Sequence, residues 1–372
     1  MEKIFLSPPN INVDDITALG SATNFNSPEV ANLYVERFEN ELAVFNGVKT
    51  VVALNSGTSA LHLGLIAMGI KPGDKIILPT LTFAATAFAI KYVNASPVFI
   101  DVDEKSWTIN LDLVSIFLRN CKINELPKAI IPVDLFGRTC DYEQLKSIAD
   151  HYEIPIFIDA AESLGSRYKS QFSSSLGLAS VLSFNSNKIL TTTGGGAFLT
   201  NDIELASKVR YFANQAREKV HWYEHKNIGF NFRLSPILAA LGSSQLIRIN
   251  HTIQKRINNR KIYSSLLSHL ENDIIVQDSK WETSNSWLVN FRMKKASNEI
   301  KRDNLNNFMN SKNIGTRFIW KPLHQQDVFK NENNLLNGTA DTLYAQSLCL
   351  PSGTNLTELE IKRICSIIEE QM

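Results

Sequence analysis

Lys188 stands in Ser183-Phe184-Asn185-Ser186-Asn187-Lys188, after an apolar run that reads as a strand and before Gly194-Gly195-Gly196-Ala197, a stretch too glycine-rich to be helical. An amine buried there is costly as a cation and tends toward the neutral form, which is the nucleophile for an aldehyde. Asp159, in Phe157-Ile158-Asp159-Ala160-Ala161-Glu162, closes another apolar run. A carboxylate at the carboxyl end of an interior parallel strand lies where α/β folds take ligands, and it can hold a proton on a heterocyclic nitrogen. Asn55-Ser56-Gly57-Thr58-Ser59-Ala60 falls between a strand and a helix. Small residues let backbone N–H groups face a phosphate there, and the Thr58 and Ser59 hydroxyls add donors. Phe83, in Thr82-Phe83-Ala84-Ala85-Thr86, follows a strand and could stack on a planar ring. Each feature also has a plainer reading: a capped turn, an N-cap aspartate, a surface lysine, a core aromatic. Together, a phosphate turn, a ring-nitrogen acid, an amine and an aromatic platform in one domain fit pyridoxal phosphate.

The elements that must carry these residues are visible as a pattern. Val51-Val52-Ala53-Leu54, residues 75–78, Pro97-Val98-Phe99-Ile100, Ala129-Ile130-Ile131-Pro132-Val133, Ile156-Phe157-Ile158 and Val181-Leu182-Ser183-Phe184 read as strands. Helical stretches such as 61–68 and 84–92 separate them. Continuous apolar strands alternating with helices predict a mostly parallel sheet buried on both faces. Further on, Leu246, Ile249, Ile253 and Ile257 fall at helical spacing and predict one long amphipathic helix. A strand over 287–292, a helix over 301–309 and a Thr357/Glu360 capping box opening a C-terminal helix follow. The change of pattern places a domain boundary near Gly242.

Of 372 residues, 44% are hydrophobic and 20% charged, with a net charge of +1. That composition suits a large globular core and gives no electrostatic footprint for nucleic acid or an anionic membrane. No run is long and apolar enough to span a bilayer, and the first residues lack the apolar stretch of a signal peptide. Cys121, Cys140, Cys349 and Cys365 are scattered, without metal-ligand spacing. These features predict reduced thiols, no metal and a cytoplasmic protein. The glycine run at 194–196 is not a dinucleotide fingerprint, which disfavours a nicotinamide enzyme.

The chain resembles the nucleotide-sugar aminotransferases of the DegT/StrS group, over nearly its whole length. The matching stretches are Leu6-Ser7-Pro8-Pro9, Ser56-Gly57-Thr58-Ser59-Ala60-Leu61-His62-Leu63, Asp159-Ala160-Ala161-Glu162-Ser163-Leu164-Gly165, Ser183-Phe184-Asn185 with Asn187-Lys188-Ile189, Gly229-Phe230-Asn231-Phe232-Arg233-Leu234, Trp320-Lys321-Pro322-Leu323-His324 and Leu350-Pro351-Ser352-Gly353. The resemblance implies the aspartate-aminotransferase fold (fold type I). A three-layer αβα large domain with a mostly parallel mixed sheet would span 1–242, and a small α+β domain 243–372. It implies that Lys188 bonds pyridoxal phosphate and shuttles a proton, that Asp159 pairs with the ring nitrogen, and that Glu162 lies near the ring hydroxyl. Phe83 would stack on the ring, and Gly57, Thr58, Ser59 and Ser183 would bind the phosphate. Asn231 would reach the phosphate of a neighbouring subunit, giving a homodimer with shared active sites. His324, Trp320 and Lys321 match a loop near the sugar nucleotide. Arg217, His221 and Tyr223 line that pocket or belong to a surface loop.

The most similar members aminate C4 of UDP-linked 4-keto-6-deoxy-N-acetylhexosamines with L-glutamate, releasing 2-oxoglutarate, as in bacillosamine synthesis for surface glycans. The same reaction on a dTDP- or GDP-linked sugar is the alternative, and a non-catalytic regulator on the same fold is another. Sugar dehydratases of this fold carry histidine in place of the lysine, so Lys188 argues against that chemistry. The chain departs from the group at Asn10-Ile11-Asn12-Val13, where Gly-Gly is usual, and at Thr23-Asn24-Phe25-Asn26-Ser27-Pro28. It also departs at Asp134, where many relatives have histidine, and at Ser186, where glycine is common.

Overall fold

Successive side chains of the strand Thr50–Leu54 enter two different apolar cores, Val51 and Ala53 one of them, Val52 and Leu54 the other. The same split separates Ile77 from Ile76 and Leu78, and Leu199 from Phe198. A strand covered on both faces needs apolar residues at every position, which is why these runs do not alternate with polar ones. In the computed structural model, which describes residues 2–24, 27–270, 273–275, 277–293 and 299–372, helices cover both faces. Pro28–Asn46, Leu111–Arg119, Tyr142–His151 and Pro236–Ile247 lie on one side; Gly57–Ala67, Ala85–Tyr92 and Ile203–Ala213 lie on the other. Phe25 and Asn26, part of the Thr23–Pro28 departure, lie outside the described residues.

One half of the sheet runs Thr50–Leu54, Gly196–Thr200, Ala179–Ser183, Phe157–Asp159; the other runs Asn333–Leu335, Ser96–Ile100, Lys75–Pro79, Ala129–Ile130. Parallel bridges from Ile130 to Ile156 and from Val133 to Asp159 join the halves. Every pairing is parallel except those of Gly196–Thr200, which runs antiparallel to both its neighbours. Two of these strands do not stand out in the sequence. Gly196–Thr200 is masked by the glycines before it. Asn333–Leu335 is polar and half exposed, and takes its register from Ser96–Ile100.

A second, antiparallel sheet orders Asp273–Ile275, Val289–Met293, Ser347–Leu350 and Arg317–Phe318. Leu267, Leu305, Met309, Ile361 and Ile364 from its helices complete a third core. The Thr357/Glu360 capping box opens the helix Glu358–Glu369 as expected. Ile4 also packs into this core and bridges to Ile314, so the first residues of the chain sit on the small sheet.

The single helix expected across Leu246 to Ile257 is two. Pro236–Ile247 ends at Arg248, whose backbone leaves the helical region (φ −105°, ψ 12°), and Ile249–Leu266 begins after it. At this break the Arg248 guanidinium pairs with the buried carboxylate of Asp15 and donates to the Asn10 carbonyl at 2.8 Å. Gly242 lies inside the first of these helices, where a Cβ would meet the Phe38 ring at 2.5 Å. Among the described residues no helix is long and apolar enough to cross a membrane.

Candidate active site

Four strands end at the same edge of the sheet, and the residues at and just past their ends build one cavity of about 310 Å³. Asn55 to Thr58 follow Thr50–Leu54, Thr82 and Phe83 follow Lys75–Pro79, Asp159 ends Phe157–Asp159, and Ser183 ends Ala179–Ser183. Lys188 enters from the loop beyond Ser183. That loop is pinned at its base, where Phe184 donates to Gly195 O and Thr192 donates back to Phe184 O, each at 2.9 Å.

Asp159 is buried and well held: Thr86 donates its hydroxyl to Oδ2 at 2.6 Å and Ala161 its N–H to Oδ1 at 3.1 Å. Burial still raises its pKa, against the pull of those donors and of Lys188. Glu162 is buried too, accepting the Phe136 N–H at 2.6 Å on Oε2, with the Lys188 Nζ 3.5 Å from Oε1. Its pKa is also raised by burial, while the charge on Lys188 lowers it. Burial pushes the Lys188 ammonium downward; Glu162 and Asp159 pull it up, and Arg317 adds to the downward push. The site thus holds an amine that can be neutral close to two carboxyls that can be protonated, the arrangement proton transfer requires.

The helix Gly57–Ala67 starts at Ser56, whose Oγ caps the Ser59 N–H at 3.0 Å. The first-turn N–H groups of Gly57 and Thr58 have no acceptor within the helix, and both residues line the cavity, as a phosphate turn requires. Gly196 allows the close approach of the neighbouring strand: a Cβ there would lie 2.4 Å from the Gly57 nitrogen.

The cavity gathers Gly57, Thr58, Phe83, Asp159, Glu162, Ser183, Lys188 and Trp320 from the residues singled out in the sequence. Phe83 is 54% exposed and meets Trp320 edge-on at 5.2 Å, leaving its ring available for stacking. Ser59 does not line the cavity; its hydroxyl donates to Asn55 Oδ1 at 2.6 Å and touches Ser56 Oγ at 2.8 Å. His324 stands behind the wall, between Thr80 Oγ1 at 2.7 Å and Asp341 Oδ1 at 2.9 Å. Lys321, Asn231, Arg217, His221 and Tyr223 are exposed and do not line the cavity of this chain. Trp287 and Arg317 were not picked out as site residues. Trp287 lies under the Lys188 amine, and Arg317 stacks on Trp320 at 4.2 Å. Arg317 lies in the small sheet and Trp287 just before one of its strands, and no local pattern in the sequence links them to the lysine. A larger cleft of about 770 Å³, lined by Trp107, Arg138, Trp281 and Arg292, holds none of this chemistry. Arg138 is already paired there with Glu282 at 3.1 Å.

The sequence profile of the DegT/DnrJ/EryC1/StrS aminotransferase family matches residues 16–369. The chain belongs to this family. The aminotransferase is 36% identical over 372 residues to EpsN of Bacillus subtilis (strain 168), covering 99% of this chain and 95% of that protein. It is 33% identical to the GDP-perosamine synthase of Escherichia coli O157:H7, over 91% of this chain and 90% of that one. It is 32% identical to the UDP-4-amino-4,6-dideoxy-N-acetyl-beta-L-altrosamine transaminase of Campylobacter jejuni, over 94% and 92%. Among solved structures it superposes on PseC of Helicobacter pylori, an aminotransferase involved in the biosynthesis of pseudoaminic acid, with a TM-score of 0.90 and 26% identity over 100% of this chain and 99% of that one. The aminotransferase is a pyridoxal-phosphate-dependent sugar aminotransferase. The cavity suits that cofactor: it offers an amine, a buried acid for a ring nitrogen, a helix N-terminus for a phosphate and an aromatic face.

Proposed function

We propose that the aminotransferase moves an amino group from L-glutamate to the C4 ketone of a nucleotide-linked 4-keto-6-deoxy sugar, with a UDP-linked 2-acetamido-2,6-dideoxy-4-keto-hexose as the favoured acceptor. The observation that carries the reading is the grouping of Lys188, Glu162 and Asp159 in one buried cavity, with the amine 3.5 Å from Glu162. The UDP preference is supported by the motif resemblance and by the Campylobacter relative. The Escherichia relative keeps a GDP-linked sugar as the competing acceptor.

Pyridoxal phosphate supplies an aldehyde for the amine and a ring that accepts the electron pair released beside the nitrogen. Asp159 keeps a proton on the ring nitrogen, and Thr86 holds that carboxylate in place. The N–H groups of Gly57 and Thr58, with the Ser183 hydroxyl, grip the phosphate. Phe83 and Trp320 orient the ring and shut water from its face. Lys188 Nζ would take and return the proton at the substrate carbon, with Glu162 Oε1 3.5 Å away to share it. Asn231, exposed and not part of the lining of its own cavity, serves the site of a second copy in a homodimer. His324, fixed by Thr80 and Asp341, stands ready at the sugar side with Lys321. Arg217, His221 and Tyr223 reach the nucleotide from their exposed loop.

The test is a panel of UDP-, GDP- and dTDP-linked 4-keto-6-deoxy sugars with L-glutamate, following 2-oxoglutarate and the amino sugar. Preference for the UDP sugar with 2-acetamido is expected; a GDP- or dTDP-sugar turned over more efficiently overturns the nucleotide assignment. Lys188→Ala is expected to abolish turnover, and retained activity in that variant overturns the role of the lysine.

A further inference from the structure

The Lys188 amine lies against a carboxylate and an uncharged aromatic face. Nζ lies 3.5 Å from Glu162 Oε1 and 3.9 Å from the centre of the Trp287 indole. The indole is 1% exposed and fixed from several sides. Its Nε1–H donates to the carbonyl of Asn187, the residue just before the lysine, at 2.7 Å. The Ser7 hydroxyl reaches the same carbonyl at 2.9 Å. The Trp287 N–H donates to Asn285 Oδ1 at 2.9 Å, and its ring stacks on Phe136 with an interplanar angle of 22°. Phe136 in turn gives its N–H to Glu162. Ring, carboxylate and the backbone that carries the lysine are therefore tied into one unit.

We propose that the indole face of Trp287, together with Glu162, is a built seat for the Lys188 ammonium whenever that amine is not bonded to the cofactor, which makes Trp287 a positioning residue of the reaction. The proposal rests on the reading of Lys188 as the cofactor's lysine. A ring face attracts a cation through its quadrupole, indole most strongly of the side chains, and more so where water is excluded. The titratable and charged groups around the amine are Glu162 and Asp159, which favour the ammonium, and Arg317, which disfavours it, as burial does. A third carboxylate would trap the proton. An uncharged ring holds the ammonium within reach of the cavity and still lets it be given up. The seat also keeps the long side chain from swinging into the space the substrate must enter.

The test uses the full-length, cofactor-free protein and replaces Trp287 alone with tryptophans bearing one, two and three ring fluorines. Fluorination weakens the ring's attraction for a cation while nearly preserving its size. The readout is the pH dependence of pyridoxal phosphate uptake, followed by absorbance, which reports the apparent pKa of the Lys188 amine, with the Tm measured alongside. The seat predicts a stepwise fall of that pKa, by about one pH unit across the series, about a tenfold change in the neutral fraction, at an unchanged Tm. Trp287→Phe should fall within the series and Trp287→Leu at its far end. A pKa that does not move with fluorination overturns the seat and leaves Trp287 as packing. Should Trp287→Leu fail to fold, the fluorinated proteins still decide. The reading of Lys188 fails separately: Lys188→Ala protein that still shows the wild-type absorbance of attached cofactor would remove it, whatever the fluorinated series does.

Discussion

Phe136 donates its backbone N–H to the buried carboxylate of Glu162 at 2.6 Å, from a left-handed backbone conformation with φ 57°. A bulky residue rarely adopts that conformation, and here it aims a donor at the acid beside Lys188. Glu162 is therefore fixed as well as buried, and its charge acts on Lys188 at 3.5 Å. In Glu162→Gln that charge is gone while the amide oxygen can still accept the Phe136 N–H. The Lys188 ammonium loses its nearest counter-charge, and its pKa should fall by about one to two units. Cofactor uptake by the cofactor-free protein, titrated against pH, reads this directly; an unmoved midpoint would show that Glu162 does not govern the lysine.

Thr86 sets the second acid. Its hydroxyl bond to Asp159 favours the carboxylate against burial, which raises the pKa. Thr86→Val keeps the shape and removes the donor, so the Asp159 pKa should rise further. Activity needs the carboxylate form, so it is lost as pH falls through that pKa. The acid limb of the kcat/KM profile should then move to higher pH, by about one unit. A limb that stays in place would disconnect Asp159 from catalysis.

Asp134 makes a prediction about folding. Burial raises its carboxyl to about 6 from 3.8, although the Tyr142 and Ser163 hydroxyls both donate to it at 2.7 Å. A native pKa above the unfolded one means the native state holds the proton more tightly. This contribution is full below pH 4 and is lost as pH rises through 6, about 3 kcal/mol in all. Asp134→Asn cannot titrate. Urea unfolding of the two cofactor-free proteins should therefore show the wild type losing ground to the variant by about that amount between pH 4 and pH 7. A constant difference would mean that Asp134 does not titrate in that window.

Gly196→Ala tests the turn at Ser56 and Gly57, proposed to hold the phosphate, from behind. The new Cβ would sit 2.4 Å from both the Gly57 nitrogen and the Ser56 carbonyl carbon, which are backbone atoms that cannot rotate away. Relief requires the turn to shift. Stability should fall by roughly 1–3 kcal/mol and cofactor affinity by about tenfold or more. Wild-type affinity measured by equilibrium dialysis would show that the turn is softer than its packing implies.

How much of this can be read without coordinates depends on where each residue comes from. Lys188, Asp159, Glu162, Gly57 and Thr58 are legible because each closes or follows an apolar run, and runs buried on both faces advertise their ends. Ser59 is the instructive near miss: its type suits a phosphate, but the Ser56 cap and Asn55 engage its hydroxyl. Trp287 and Trp320 reach the cavity from segments flanking strands of the small sheet, with Arg317 stacked behind Trp320, and no spacing along the chain links them to Lys188. The helix break at Arg248 is hidden as well: the apolar spacing runs straight through it, and the carboxylate that holds Arg248 there, Asp15, lies far back in the chain. The strand Gly196–Thr200 shows the limit of pattern: antiparallel to both neighbours, it carries the same apolar character as a parallel strand.

The strap formed by Ile4 and Ser7 bears on the order in which a ribosome's product can become an enzyme. Ile4 rests against Ile314, and Ser7 holds the carbonyl of Asn187 at the foot of the lysine loop. Both residues are made well before the segments they meet, so the Ser7 contact can close only after Asn187 has been synthesised and the Ile4 contact only after Ile314, and ordering of the lysine loop depends on pairings distant in sequence.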